Sequence, residues 1–302
     1  MTSTASEQPS SLDPAGPAVV ALGGGHGLAA TLRAATGYAS SVTGVVSVGD
    51  DGGSSGRLRT EFGVAPPGDV RRCISALVAE ESLLSQALEY RFADGELEGH
   101  PIGNLLLAGL AMVAGDFEHA IEELCRLVGV EGNIVPAASV PVRLLADSDQ
   151  GEITGEVTIE HATGIRNLRF DPAHPPVSTR AVEAVLGADQ VVIGPGSLFT
   201  SVLASAVVPG ILSAVDKSPG QHVYVANVAT EKGMARGFGL AAHLAALADH
   251  GVTVDVVVAP ATAPEEHLEG VRVVRADVAA GDGWGHDPHR LGEVLAKVYA
   301  DR

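Results

Sequence analysis

Cationic side chains are scarce in this chain: 302 residues carry 19 Lys and Arg against 37 Asp and Glu, a formal net charge of −18. Such a surface repels polyphosphates and anionic lipid at long range, because neutralising them takes clustered Lys and Arg. Nucleic acid is therefore disfavoured as a partner. A small anionic ligand is not, since a pocket answers to its local donors. Cysteine is nearly absent too. Cys73 and Cys125 have no CxxC partner and no metal-ligand spacing, which argues against a zinc site and fits a reducing cytoplasm. Both read as buried free thiols. No uncharged apolar run approaches the roughly 18 residues of a membrane span, so membrane insertion is not expected. There is no GxSxG elbow, and neither cysteine has a nucleophile's setting, so no nucleophile stands out.

What the chain does have is a globular composition, 46% hydrophobic and 19% charged, and enough length for a full core. Residues 1–17 are rich in Ser, Pro and Ala, without periodicity or the basic and apolar regions of a signal peptide. They read as a loose tail, and residues 18–302 as one domain. Runs that are apolar on both faces (Ala18–Leu22, Thr43–Val48, Gln190–Ile193, Val223–Asn227, Val254–Val258, Val271–Arg275) alternate with helical stretches from Leu28–Ala35 to Arg290–Tyr299. That alternation predicts an α/β fold: a Rossmann-like, doubly wound, mostly parallel sheet with helices on both faces. Over 133–170, apolar and polar positions alternate around Gly151 and Gly155, which predicts a small antiparallel β insertion.

Ligands of open α/β sheets bind beyond the carboxyl ends of the strands, and the polar motifs fall there. The first strand runs into Gly23-Gly24-Gly25-His26-Gly27, whose amides can approach an anion while the next helix adds its positive end. Asp50 follows about 20 residues after this GxGxxA-like turn, the spacing of a dinucleotide-binding fold; a Walker lysine is missing. The second strand runs into Gly49-Asp50-Asp51-Gly52-Gly53-Ser54-Ser55-Gly56-Arg57. Its Gly and Ser amides suit an anion-binding nest, and Arg57 suits a two-point clamp on phosphate. Asp50 is the expected ligand for a Mg²⁺ that also needs phosphate oxygens and water, and Asp50 and Asp51 are the candidate catalytic acids. Asp69, in Pro66-Pro67-Gly68-Asp69, is either a helix cap or a ligand contact. So is Asn104, in His100-Pro101-Ile102-Gly103-Asn104. Gly194-Pro195-Gly196-Ser197, with Thr200 and Ser201 behind it, repeats the strand–glycine turn–helix pattern and suits a second phosphate or sugar contact. Asn227, ending the next strand, suits a base or sugar. His286-Asp287-Pro288-His289 reads as a solvated loop rather than a metal site.

Together GGGHGL, SVGDDGGSSGRLR, PPGDVRRC, GHPIGNLLL, GPGSLFTSVL and HDPHRL resemble the gluconeogenesis factor (YvcK) family, within the larger group of the 2-phospho-L-lactate transferase CofD. The resemblance runs from about Ala18 to Val298. It implies a cytoplasmic protein that binds UDP-sugars such as UDP-N-acetylglucosamine and supports cell shape and wall synthesis on gluconeogenic carbon sources. A homodimer and a wall-regulating protein partner are further expectations. CofD relatives transfer a phosphate-bearing group from a nucleotide-activated donor with Mg²⁺. By similarity, Gly23–Gly27, Asp50, Asp51, Asn104 and Gly194–Ser201 would line the nucleotide cleft. Relatives commonly read NxMTQPGETDGF after the strand ending at Asn227, where this chain reads Asn227-Val228-Ala229-Thr230-Glu231-Lys232-Gly233-Met234-Ala235-Arg236-Gly237-Phe238. The departure leaves base and sugar preference open. Nucleotide-sugar binding is the leading function, a CofD-like Mg-dependent phosphotransferase the alternative, and an NAD-dependent dehydrogenase a distant third.

Overall fold

The computed structural model describes residues 12–229, 239–266, 268–281 and 283–302. Residues 1–11 of the expected tail and 230–238 of the altered loop lie outside the described residues. The chain opens with β1 (Ala18–Gly23), α1 (Gly25–Thr36) and β2 (Ser41–Val46), followed by α2 (Gly53–Phe62), α3 (Gly68–Ala76), α4 (Leu83–Glu89), α5 (Ile102–Ala114), α6 (Phe117–Val128) and β3 (Asn133–Pro136). A second, smaller sheet follows, from β4 (Arg143–Ser148), β5 (Gly151–Thr154) and, past the short α7 (Glu156–His161), β6 (Arg166–Asp171). The chain then forms α8 (Thr179–Leu186) and β7 (Gln190–Ile193), and a π-helical turn over Leu198–Leu203 runs into α9 (Ala204–Ala206). It closes with α10 (Pro209–Lys217), β8 (Gln221–Val225), α11 (Leu240–Asp249), β9 (Val256–Pro260), β10 (Arg272–Ala276) and α12 (Pro288–Ala300).

The main sheet has seven parallel strands in the order β10-β9-β8-β7-β1-β2-β3. Its central strands are buried on both faces, as Val20, Ala21 and Leu22 in β1 and Val191, Val192 and Ile193 in β7 illustrate. That is why they read as unbroken apolar runs rather than alternating ones. From β1 the chain moves outward to β2 and β3, returns to β7 on the other side of β1, and proceeds outward to β10. The reversal between β1 and β7 is the sheet's switch point, where a crevice opens at the carboxyl ends. Helix α1, with Leu28 and Leu32 buried, covers one face and packs on α3 and α12.

Three expectations change. Asn133–Pro136 belongs to the main sheet, paired in parallel with β2, so the antiparallel insertion is the β5-β4-β6 sheet alone. Residues 12–17 are tied to the domain: Asp13 N–H donates to Ala39 O at 2.9 Å and Ser40 N–H to Pro17 O at 2.9 Å. Cys73 is buried in the core as a free thiol, whereas Cys125 is only partly buried. Among the described residues no single helix is long and apolar enough to cross a membrane.

Candidate functional site

The loops after β1 and β7 face each other across the switch point. Gly27 is the point of contact: a Cβ there would lie 2.1 Å from the Pro195 carbonyl oxygen. The β7 loop is fastened from both sides. Thr31, on α1, donates its hydroxyl to Gly194 O at 3.0 Å in the core. Asn227, past β8, accepts from Gly196 N–H at 3.0 Å and donates to Gly196 O at 2.9 Å. The Asn227 amide thus grips the glycine turn, at the edge of the cleft it lines. Gly194 and Gly196 have φ of 81° and 148°, a backbone that favours glycine. Ser197 lines the cleft, whereas Thr200 is buried behind it. Ser201 points its hydroxyl toward Gly24, 3.4 Å from where a Cβ would stand.

Asp69 sits in the first turn of α3, and Pro67 rather than Asp69 is the N-cap. Its carboxylate instead accepts from Gly25 N–H, at the start of α1, and pairs with Arg72 at 2.6 Å. One amide of the expected phosphate turn therefore holds the protein's own carboxylate. Burial pushes the Asp69 carboxyl up to about 6, against the pull of Arg72 and with a further push from Asp50. His26 lines the cleft one residue on. Burial first, then the Arg72 and Arg71 guanidinium groups, lower its pKa, so the imidazole is neutral near pH 7.

The loop after β2 departs most from expectation. Gly53-Ser54-Ser55-Gly56-Arg57 is the first turn of α2, not an open nest. Its Gly56 is forced, since a Cβ would lie 2.0 Å from Asp51 O. Arg57 projects away from the acids and donates to Glu98 O at 2.7 Å. Arg59 lies in electrostatic reach of both Asp50 and Asp51, with burial lowering its pKa. Asp51 accepts from Glu156 N–H and Val157 N–H, both at 3.0 Å, and so caps α7 from another element, since Gly155 at the N-cap has no side chain. Asp51→Ala should cost about 1–2 kcal/mol in urea denaturation, the range of a lost helix cap; an unchanged midpoint would mean that the tie contributes nothing.

Asp50 faces inward. It accepts from Gly52 N–H at 2.9 Å and from the Glu156 carboxyl. Burial first, then Asp50 and Asp69, push Glu156 up to about 9, so it is protonated at neutral pH. Ser55 Oγ accepts from Gly68 N–H at 3.1 Å, closing the cluster beside Asp69.

Asn104 is not the helix cap, which is Pro101. The asparagine donates to Ser54 Oγ at 3.0 Å and accepts from Arg71 Nε at 3.1 Å, both in the interior. Ser54 also meets His100 Nδ1 at 2.8 Å, while Arg71 pairs with Glu89, which accepts from Ser75 at 2.6 Å. This series, from α2 through α5 and α3 to α4, backs one wall of an open cleft of about 1220 Å³. Ser75, Gln86 and Glu89 line the cleft on that side; Arg33 and Arg72 add two cations beside the neutral His26, and Pro195–Ser197 and the 284–286 turn complete the lining.

The profile of the family described as 2-phospho-L-lactate transferase CofD matches residues 19–297. The chain belongs to the CofD family. A gluconeogenesis factor from Bacillus subtilis is 37% identical over 310 residues, covering 93% of this chain and 98% of that protein. One from Halalkalibacterium halodurans is 42% identical over 246 residues, covering 80% of this chain and 76% of that protein. A crystal structure of a UPF0052 family member from Bacillus halodurans is similar at 34% identity with a TM-score of 0.85, covering 92% of this chain and 97% of that one.

Mg²⁺ fits this CofD family chain poorly as a resident ion. Among the described residues, no three His, Cys, Asp or Glu side chains are arranged to hold a metal, and the Asp50 carboxylate is already engaged by Gly52 and Glu156. Several residues of the site escape a reading of motifs. Glu156 arrives from the insertion, far along the chain. Arg33 was missed as well, although His26, Ala30 and Arg33 lie at helical spacing on one face of α1 and could have pointed to it. His286 is buried against Ala226 O at 3.1 Å and lines the cleft with Pro288, and Asp287 caps α12, whereas His289 stands in solvent, so only part of the late motif is the solvated segment expected. No metal geometry includes it among the described residues.

Proposed function

We propose that this CofD family member is a cytoplasmic nucleotide-sugar-binding protein, taking a UDP-sugar of the UDP-N-acetylglucosamine kind, and that it links wall-precursor status to cell shape during gluconeogenic growth. The observation that carries the reading is the switch-point geometry: the start of α1 and the clamped Gly194–Ser197 turn meet over one cleft with Arg33 and Arg72 in its lining. Helix-start amides and guanidinium groups are what a diphosphate needs. A homodimer and a wall-regulating partner that reads the bound state belong to the same proposal. Isothermal titration with UDP-N-acetylglucosamine, with and without Mg²⁺, tests it. Saturable binding is expected, and no heat at millimolar ligand would remove the reading.

The second reading, a phosphotransferase on a nucleotide-activated donor, is favoured by the CofD match together with the protonated Glu156 beside Asp50. Positioning and charge neutralisation would supply most of such catalysis. With no resident chelate, any Mg²⁺ would come coordinated by the donor's phosphates. Asp50→Asn keeps an acceptor for Gly52 N–H and removes the charge. Donor turnover abolished in that variant supports the transferase; binding without turnover in the unaltered protein counts against it.

A further inference from the structure

Within that reading of the cleft as a nucleotide-sugar site, we propose that Trp284 is the shelf on which the nucleobase stacks. Trp284 is the one tryptophan in the chain. Its side chain is 67% exposed, although an indole has among the largest gains from burial of any side chain. The exposure is not on open surface, for Trp284 lines the cleft together with His286 and Asn227.

The turn carrying it is held firmly. Ala280 N–H donates to Gly285 O at 2.8 Å, Gly283 N–H to Ala280 O at 2.9 Å and Asp287 N–H to Val278 O at 2.9 Å. His286 Nε2–H donates to Ala226 O, at the end of β8. Such a support positions an aromatic ring at little ordering cost on binding. The surrounding glycines leave room: a Cβ at Gly281, Gly283 or Gly285 would meet nothing within 4 Å. They are not small for the sake of internal packing.

The two sides of the cleft differ in chemistry. Ser75, Gln86 and Glu89 offer hydroxyl, amide and carboxylate groups, which suit the hydroxyls of a sugar. Trp284 is the only large π surface among the described residues that line the cleft. A planar, uncharged base recovers most from stacking there. With the diphosphate over α1 and the Gly194–Ser197 turn, the sugar goes to the polar wall and the base to Trp284.

The single indole also provides the test. UDP and UDP-N-acetylglucosamine should both quench the intrinsic emission of the full chain, whereas N-acetylglucosamine 1-phosphate should not. By calorimetry, Trp284→Ala should weaken UDP and UDP-N-acetylglucosamine by the same factor, about ten- to a hundredfold. It should leave N-acetylglucosamine 1-phosphate binding and the melting temperature unchanged, and Trp284→Phe should recover most of the loss. Weakening of the sugar nucleotide alone would move the stack to the sugar and overturn the proposal, as would no effect on either. If the unaltered protein binds no nucleotide, the underlying reading of the cleft fails first and takes this one with it.

Discussion

Gly27→Ala is expected to cost more than about 3 kcal/mol and to abolish ligand binding in whatever fraction still folds. The magnitude exceeds ordinary overpacking, which costs about 1–3 kcal/mol because side chains yield. Here the obstacle is backbone. The new Cβ would stand 2.1 Å from Pro195 O, 2.7 Å from its carbonyl carbon and 3.2 Å from Gly196 N. Those atoms cannot retreat, since Thr31 and Asn227 hold the turn from either side. Relief requires pulling α1 away from the β7 loop, which parts the two halves of the proposed diphosphate site. Gly109→Ala is the matching control. It lies exposed within α5 with nothing within 4 Å of its Cβ, so it should stabilise by roughly 0.5–1 kcal/mol through helix propensity alone. Equal denaturation midpoints for the two variants would sink the packing argument.

Glu156→Gln should make the protein more stable at alkaline pH, by about 2 kcal/mol at pH 8.5 relative to pH 6.5. The sign follows from the direction of the shift. Folding raises Glu156 from its ordinary 4.5 to about 9. The folded chain therefore keeps a proton that the unfolded chain has released, and stability falls as pH climbs through that interval. Asp69 contributes in the same sense but only up to about 6, and His26, His100, His243 and His286, whose pKa values burial lowers, pull the other way around pH 6.5. Glu156 is therefore isolated by the difference between the two proteins, in which those groups cancel. Glutamine still donates to Asp50 but has no proton to lose. Thermal melts of both proteins at the two pH values check the prediction. A variant whose melting temperature changes with pH in parallel with that of the wild type would mean that no proton is retained between Asp50 and Glu156.

Much of the architecture was legible because parallel strands at the centre of a sheet are apolar on both faces, and β1, β7 and β8 advertise this directly. Thr179–Leu186 and Leu240–Asp249 were readable to the residue, as their periodicity stops at Gly187 and at His250-Gly251. The stretch after Asp51 was not. Gly53, Ser54, Ser55 and Gly56 have poor intrinsic helix preference, and tertiary contacts to α5 impose the helix regardless. Edge strand β3 misled for a related reason: four residues are too few to separate a parallel edge from an antiparallel hairpin. At the site, the motifs named the loops that meet at the switch point, but not the partners their side chains take within the protein. Asp51, Asp69, Asn104 and Asn227 all looked like ligand contacts and all spend their polar atoms on the protein. A sequence reveals which polar groups a fold collects at one place, whereas the partner each one takes depends on segments as distant as Glu156.

The series His100–Ser54–Asn104–Arg71–Glu89–Ser75 sets how the cleft can move. Because each member shares its bonds with the next, and Arg71 is almost wholly enclosed, parting Arg71 from Glu89 would leave a buried charge without its partner. That flank behaves as a strut between four helices. The opposite flank is a glycine-flanked turn suspended from β8 and the start of α12. A ligand bridging the two would meet a strut on one side and, on the other, a turn tied down through His286 and Asp287, so both walls stand in place before it arrives.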